Sequence, residues 1–154
     1  MTMTTRETRQ QTIDKVGKYF GVKELVCSHT YDRWGESSWA YLSTDWLETL
    51  LVIRRDILAR PMTCNHGAAQ QRGLRCNRCD LVRSAKRVYL SGHVLGRAGD
   101  FGVAGMTAEE ARRAIISKQD LLPHPIRLEG GVSWLHIDTL PQCGIKDKVY
   151  VFKD

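Results

Sequence analysis

From Ser43 to about Ala59, apolar side chains recur at three- and four-residue spacing, and Pro61 then stops the pattern from continuing. Leu47, Leu50, Leu51, Ile57 and Leu58 trace one side of the predicted helix, with Arg54 as its one polar interruption. Ser43 or Thr44 caps its start, since a hydroxyl there accepts from a first-turn N–H that has no helical partner. A stripe this wide is a core face, so the rest of the chain must supply a surface to cover it.

The remaining signals describe that surface. Residues 6–20 read as an opening helix, with Ile13, Val16 and Phe20 on one side, which makes residues 1–17 a peripheral helix. Residues 21–43 are rich in aromatics and turn formers and predict an irregular, packed segment contributing to a binding face. From Met62 to Tyr89 periodicity is lost until Val82. Thr107 and Glu110 form a capping box that opens a helix to about Ser117, with Ala111, Ala114 and Ile115 on its buried side. After Pro123 and Pro125 the pattern is that of strands: Ile126 to Glu129, a Gly130-Gly131 turn, Val132 to Thr139, and Lys148 to Phe152. The economical reading is one α+β domain over residues 1–154, a small antiparallel sheet packed against helices.

Composition narrows the setting. The formal net charge of +6 favours a polyanionic or acidic partner, either nucleic acid or an acidic cell wall. The arginines are spread along the chain, and neither an aromatic ladder nor zinc-finger spacing accompanies them, so no nucleic-acid partner is expected. No apolar run is long enough to span a bilayer, and the polar start MTMTTRETRQQ lacks the apolar segment of a secretory signal. Synthesis in a cytoplasm is the expectation. The five cysteines then read as reduced thiols. Cys76-Asn-Arg-Cys79 is a CxxC without a matching second one; a structural or incidental role is expected ahead of a second metal site or a redox pair.

Two segments carry chemistry. In Ser91-Gly-His93-Val-Leu-Gly96-Arg97-Ala-Gly99-Asp100 an imidazole and a carboxylate are separated by glycines that allow a tight turn or close backbone approach. In Ser133-Trp-Leu-His-Ile-Asp138 a strand alternation puts Trp134, His136 and Asp138 on one face and Leu135 and Ile137 on the other. His93, Asp100 and His136 together would leave an open coordination position, as a catalytic zinc requires. Surface or hydrogen-bonded histidines are the alternative.

The ten residues Ser91 to Asp100 match the SxHxxGxAxD signature at its five specified positions, and Trp134 to Asp138 resembles a second metal segment ending in His-x-Asp. By these residues the chain resembles the D-alanyl-D-alanine carboxypeptidase and endopeptidase family, the M15 zinc peptidases, in the short single-domain form found in phage and prophage genes. The similarity runs from about Lys18, through Lys23 to Cys27, Arg60-Pro61 and Gln71 to Arg75, to the end. It implies a hedgehog/D-Ala-D-Ala peptidase-like fold and one catalytic zinc ion held by His93, Asp100 and His136. It also implies a monomeric, endolysin-like hydrolase of bacterial peptidoglycan. Such an enzyme would act at the wall after holin-dependent release from the host cytoplasm, or after delivery by a virion.

Many members of that family carry the catalytic base in Glu-x-x-His, where this chain has Ser133. A serine hydroxyl is no base at neutral pH. Glu129 is the first candidate to replace it, followed by Asp138, which the family pattern makes a group orienting a ligand, and by His124. A two-residue turn at Gly130-Gly131 would put Glu129 opposite Val132, about 13 Å of strand from His136, so a twisted or bulged hairpin, or a longer loop, is needed for Glu129 to serve. Arg72 and Arg75 are the candidates for binding a substrate carboxylate or oxyanion, and the resemblance favours Arg72. Of the aromatics Trp34, Trp39, Tyr41 and Trp134, only Trp134 is assigned to substrate. Ser133 also admits a second reading, a catalytically impaired wall-binding or virion structural domain that keeps its zinc.

Overall fold

The computed structural model describes residues 7–144 and 146–154. The part of the opening-helix expectation that falls on residues 1–6 lies outside them. Helix α1 (Arg9–Val16) starts at a capping box made by Thr8 and Gln11. It is followed by α2 (Val22–Leu25), α3 (Ser28–Trp34) and a 3₁₀ run (Gly35–Tyr41). Residues 21–43 are thus mostly helical and not irregular. Their helices are too short to display a periodic stripe, which is why only the turn formers between them stand out in the sequence.

Helix α4 (Thr44–Val52) is capped by Ser43, whose hydroxyl accepts from the Trp46 N–H at 3.2 Å, and it runs on as a π-helical turn over Ile53–Ile57. The expected stripe is buried, joined by Trp46 and Ile53, while the Arg54 guanidinium lies over the Tyr19 ring at 4.6 Å. Ala59, at φ 50, turns the chain out of the helix just before Pro61.

The chain then lays down β1 (Met62–Thr63), the short α5 (Asp80–Arg83), β2 (Ala98–Val103), α6 (Ala108–Ser117), β3 (Ile126–Glu129), β4 (Leu135–Asp138) and β5 (Val149–Phe152). The strands form one sheet in the order β1-β2-β4-β3-β5. This is a single small α+β domain with its sheet packed against helices. The sheet is mixed and not wholly antiparallel, because β5 pairs with β3 in parallel. The connection from β4 passes β3 and returns along its far side, so β5 runs opposite to β4 with β3 between them. Leu128, Leu135 and Ile137 point into the helical layer, where Phe101 meets Phe20 and Trp46 with ring centroids 5.9 and 6.1 Å away.

Two further features depart from the sequence reading. Strand β2, in the middle of the sheet, has no alternating pattern because its first four residues are all buried. The Gly130-Gly131 hairpin is not a two-residue turn: β4 begins only at Leu135, and residues 130–134 form the loop. The buried Arg112 of α6 explains this. Its guanidinium donates to the main-chain carbonyls of Glu129 at 3.2 Å, Val132 at 3.1 Å and Trp134 at 3.2 Å, and carbonyls held this way cannot zip into a ladder.

Gly96 fixes the loop before β2. It sits at φ +68, a Cβ there would fall 1.9 Å from the Tyr41 carbonyl oxygen, and its own carbonyl accepts from the Ser43 N–H at 2.9 Å. Gly131 has φ +78 with open space around it. Gly96→Ala should therefore cost about 3 kcal/mol or more and Gly131→Ala only about 1 kcal/mol, measured by urea unfolding. Equal losses would show that the close approach to Tyr41 adds nothing.

Candidate metal centre

The β2–β4 ladder pairs Asp100 with His136 directly, and His93 reaches them from the loop that precedes β2. His136 Nδ1 lies 2.7 Å from Asp100 Oδ1, and His93 Nε2 lies 3.4 Å from Asp100 Oδ2. The imidazole centroids are 5.2 Å apart, and all three side chains are nearly buried. The structure therefore brings together the three residues that the sequence nominated as ligands.

Their remaining polar atoms are secured from behind. His93 Nδ1 donates to the Gly73 carbonyl at 2.8 Å, which leaves Nε2 as the nitrogen that faces the carboxylate. His136 Nε2 donates to Asp138 at 2.8 Å, leaving Nδ1 for the centre. Both oxygens of Asp138 are in turn held by Arg127 at 2.9 Å, and Oδ1 also accepts from the Leu140 N–H at 3.0 Å. Asp138, expected among the catalytic groups, is thus a positioning residue: it is fully buried and already engaged, so it cannot act as a free base.

Burial alone would raise the Asp100 carboxyl, but hydrogen bonds from His136 and His93 and their charge hold it far below the usual carboxylate range. Burial also opposes protonation of His136, yet Asp100 and Asp138 together push its pKa up to about 9. Asp138 is lowered for the matching reason, with His136 and Arg127 outweighing burial. Two imidazole lone pairs and a carboxylate directed at one another, each braced behind, form a donor set that fits a metal ion with an open coordination position.

The centre forms one wall of a pocket of about 530 Å³ that also includes Glu129, Trp134 and Arg75. The β3–β4 register pairs Arg127 with Asp138 and Leu128 with Ile137 and ends there, and Glu129, the next residue of β3, lines the same pocket as His136. Among the described residues, nothing forms a hydrogen bond or ion pair with the Glu129 carboxylate.

Arg75 reaches Asp100 Oδ2 at 3.4 Å while donating to the Gln71 carbonyl at 2.6 Å and to the Tyr89 hydroxyl at 2.5 Å. Arg72 borders an adjoining hollow shared with Trp134 and Arg75, and its carbonyl accepts from the Asp100 N–H at 2.8 Å. Arg75 is therefore closer to the centre than Arg72, the reverse of the order expected.

Other candidates lie elsewhere. His124 is paired with Glu48 and Asp45, away from the pocket. Trp34 and Tyr41 pack against each other, ring centroids 5.7 Å apart and tilted by 53°, beside a different hollow. Ser133 borders a third one against α6. Gly73, Arg127 and Arg112 are not singled out by the sequence for these roles, although Gly73 falls in a segment that carries the resemblance, Arg127 in an expected strand and Arg112 in an expected helix.

A second group surrounds the CxxC, for which a structural or incidental role is expected ahead of a second metal site. Cys27, His29, Cys76 and Cys79 offer four donor atoms within 4.8 Å of one another and could hold a metal ion. The missing half of the motif is Cys27-x-His29. Comparison with known proteins gives no support from similarity: no family model, no curated protein and no solved structure matches the chain.

In metal-free protein the raised pKa of His136 makes stability depend on pH. The contribution is complete below about 6.5, the unfolded value, and is lost as pH rises through about 9, on the order of 3 kcal/mol in all. Saturating divalent metal should remove that slope, since His136 would then be deprotonated in both folded and unfolded states. Urea unfolding across this window with and without metal checks both statements; a slope unchanged by metal would count against His136 as a ligand.

Proposed function

We propose that the chain is a zinc metallopeptidase that hydrolyses amide bonds in peptidoglycan stem or cross-bridge peptides. The observation that carries the reading is the place of Glu129, a carboxylate without a partner among the described residues, in the same pocket as His93, Asp100 and His136. The donor set of two nitrogens and one oxygen, without thiolate, suits a catalytic zinc. When bound, zinc would polarise the scissile carbonyl and lower the pKa of water.

The chain's own groups supply the rest. Glu129 takes the proton of the attacking water and passes it to the leaving amine, and its open position in the pocket leaves it free to do so. The Asp138–His136 and Gly73–His93 hydrogen bonds keep both imidazoles in the tautomer that ligation needs. Arg75 offers its guanidinium to a developing oxyanion or a terminal carboxylate, and Arg72 with Trp134 receives the flanking part of the substrate.

The substrate class rests on the resemblance of Ser91 to Asp100 and Trp134 to Asp138 to the D-alanyl-D-alanine peptidase signature, and net charge +6 agrees with an acidic wall. In that setting the protein acts as a monomeric lysis enzyme of a phage or prophage, released by a holin, or as a virion component. No helix among the described residues is long and apolar enough to cross a membrane. Against the alternative of a wall-binding domain without a base, Glu129 offers a carboxylate in the pocket that Ser133 does not line.

The test is to incubate zinc-loaded protein and its Glu129→Gln variant with purified peptidoglycan and to identify new amino and carboxyl termini by mass spectrometry. Wild type should release them, and the variant should do so at least about 100-fold more slowly with its zinc retained. No cleavage by loaded wild type across several wall chemistries would sink the enzymatic reading. Full activity of Glu129→Gln would move the base elsewhere.

A further inference from the structure

We propose that Cys27, His29, Cys76 and Cys79 bind a second zinc ion, a closed structural site that fastens α3 to the segment supporting His93. Around a tetrahedral zinc, bond lengths of about 2.3 Å to sulfur and about 2.0 Å to nitrogen set sulfur–sulfur distances of about 3.8 Å and sulfur–nitrogen distances of about 3.5 Å. Cys76 Sγ and Cys79 Sγ are 4.0 Å apart, and His29 Nδ1 lies 3.6 Å from the first and 3.8 Å from the second. Cys27 Sγ completes the group within 4.8 Å of the others. The spacing is that of ligands around a common centre. It is far from the roughly 2 Å sulfur–sulfur bond of a disulfide, and the cysteines are free.

The surroundings suit thiolates. The Arg78 N–H points at Cys76 Sγ at 3.4 Å, and the Thr30 hydroxyl is 3.1 Å from Cys27 Sγ, so donors are in place for negative sulfur. Cys27 and Cys79 are buried, whereas His29 is exposed, which leaves a route for the ion to enter. Binding replaces three S–H protons, released to solvent, by three zinc–sulfur bonds and adds one bond from His29 Nδ1. Four protein ligands leave no open position, so the ion supplies stability and no chemistry.

Its position gives that stability a purpose. Residues 73–75 lie between the Cys27 segment and His93. The Cys27 N–H donates to the Leu74 carbonyl at 2.9 Å, the Leu74 N–H to the Leu25 carbonyl at 2.9 Å, and the Arg75 N–H to the His93 carbonyl at 3.1 Å. A Cβ on Gly73 would fall 2.1 Å from the Leu25 carbonyl oxygen, so the two segments are in direct contact. Gly73 is also the residue whose carbonyl orients His93. Zinc at the cysteine end would thereby hold in place both Arg75 and a ligand of the first centre.

Two measurements test the site independently of any peptidase activity. Elemental analysis of zinc-reconstituted protein, prepared under reducing conditions, should give about two ions per chain for wild type and about one for the His93→Ala, His136→Ala double variant. Cobalt substituted into the double variant should show an intense thiolate-to-metal charge-transfer band, absent from Cys76→Ser and unchanged in Cys143→Ser. Chelation of the double variant should lower its melting temperature, as expected for an ion bound only by the folded state. If Cys76→Ser does not fold, the cobalt spectrum of the double variant decides alone. Failure of the double variant to take up metal, a cobalt spectrum without thiolate absorption, or a Cys76–Cys79 disulfide in the reduced preparation would overturn the proposal. Loss of metal from both centres would sink both readings; a silent peptidoglycan assay with the thiolate spectrum intact would sink only the peptidase.

Discussion

The centre of the molecule is a carboxylate placed between two imidazoles in a site closed to most solvent. Asp100 and His136 face each other across the β2–β4 ladder, so the sheet's own hydrogen bonds set their separation. Such a group is costly to bury unless its charge is matched, and here the match comes from every side: His93, His136, Arg75 and, one step behind, the Asp138–Arg127 pair. The fold around it supplies these partners from four separate stretches of chain. A metal ion would replace the shared proton as the positive charge that holds the two imidazoles and the carboxylate together.

That constraint accounts for features that would otherwise look unrelated. The Gly73 carbonyl must face His93, so residues 73–75 are pressed against Leu25 too closely for any side chain at position 73. The signature loop must deliver His93 just before β2 begins, so Gly96 adopts a left-handed turn against the Tyr41 carbonyl at the start of α4. Arg112, buried in a helix on the other side of the sheet's end, keeps three carbonyls of the 129–134 stretch from pairing as strand.

Much of this was legible. The alternation of Trp134 to Asp138 correctly separated core from site, since Leu135 and Ile137 are fully buried among helices while His136 and Asp138 lie on the other face. The helical stripe after Ser43 and the capping box at Thr107 appeared where local chemistry put them. Strand β2 was not legible, because Ala-Gly-Asp-Phe is buried on both faces and has neither alternation nor β-branched residues. Nor was the exclusion of Asp138 from proton transfer, which depends on Arg127 occupying its oxygens.

The sequence by itself determined which side chains carry chemistry and which faces of the helices and strands must be buried, because both follow from residue type and from periods of two and 3.6 residues. Only the tertiary structure decided the partnerships. It brought Glu129 into one pocket with His136, beside a loop whose carbonyls are claimed by a distant arginine, and it joined Cys27-x-His29 to a CxxC some fifty residues away. Such pairings are set by contacts between segments remote in the chain, and no local pattern of residues encodes them.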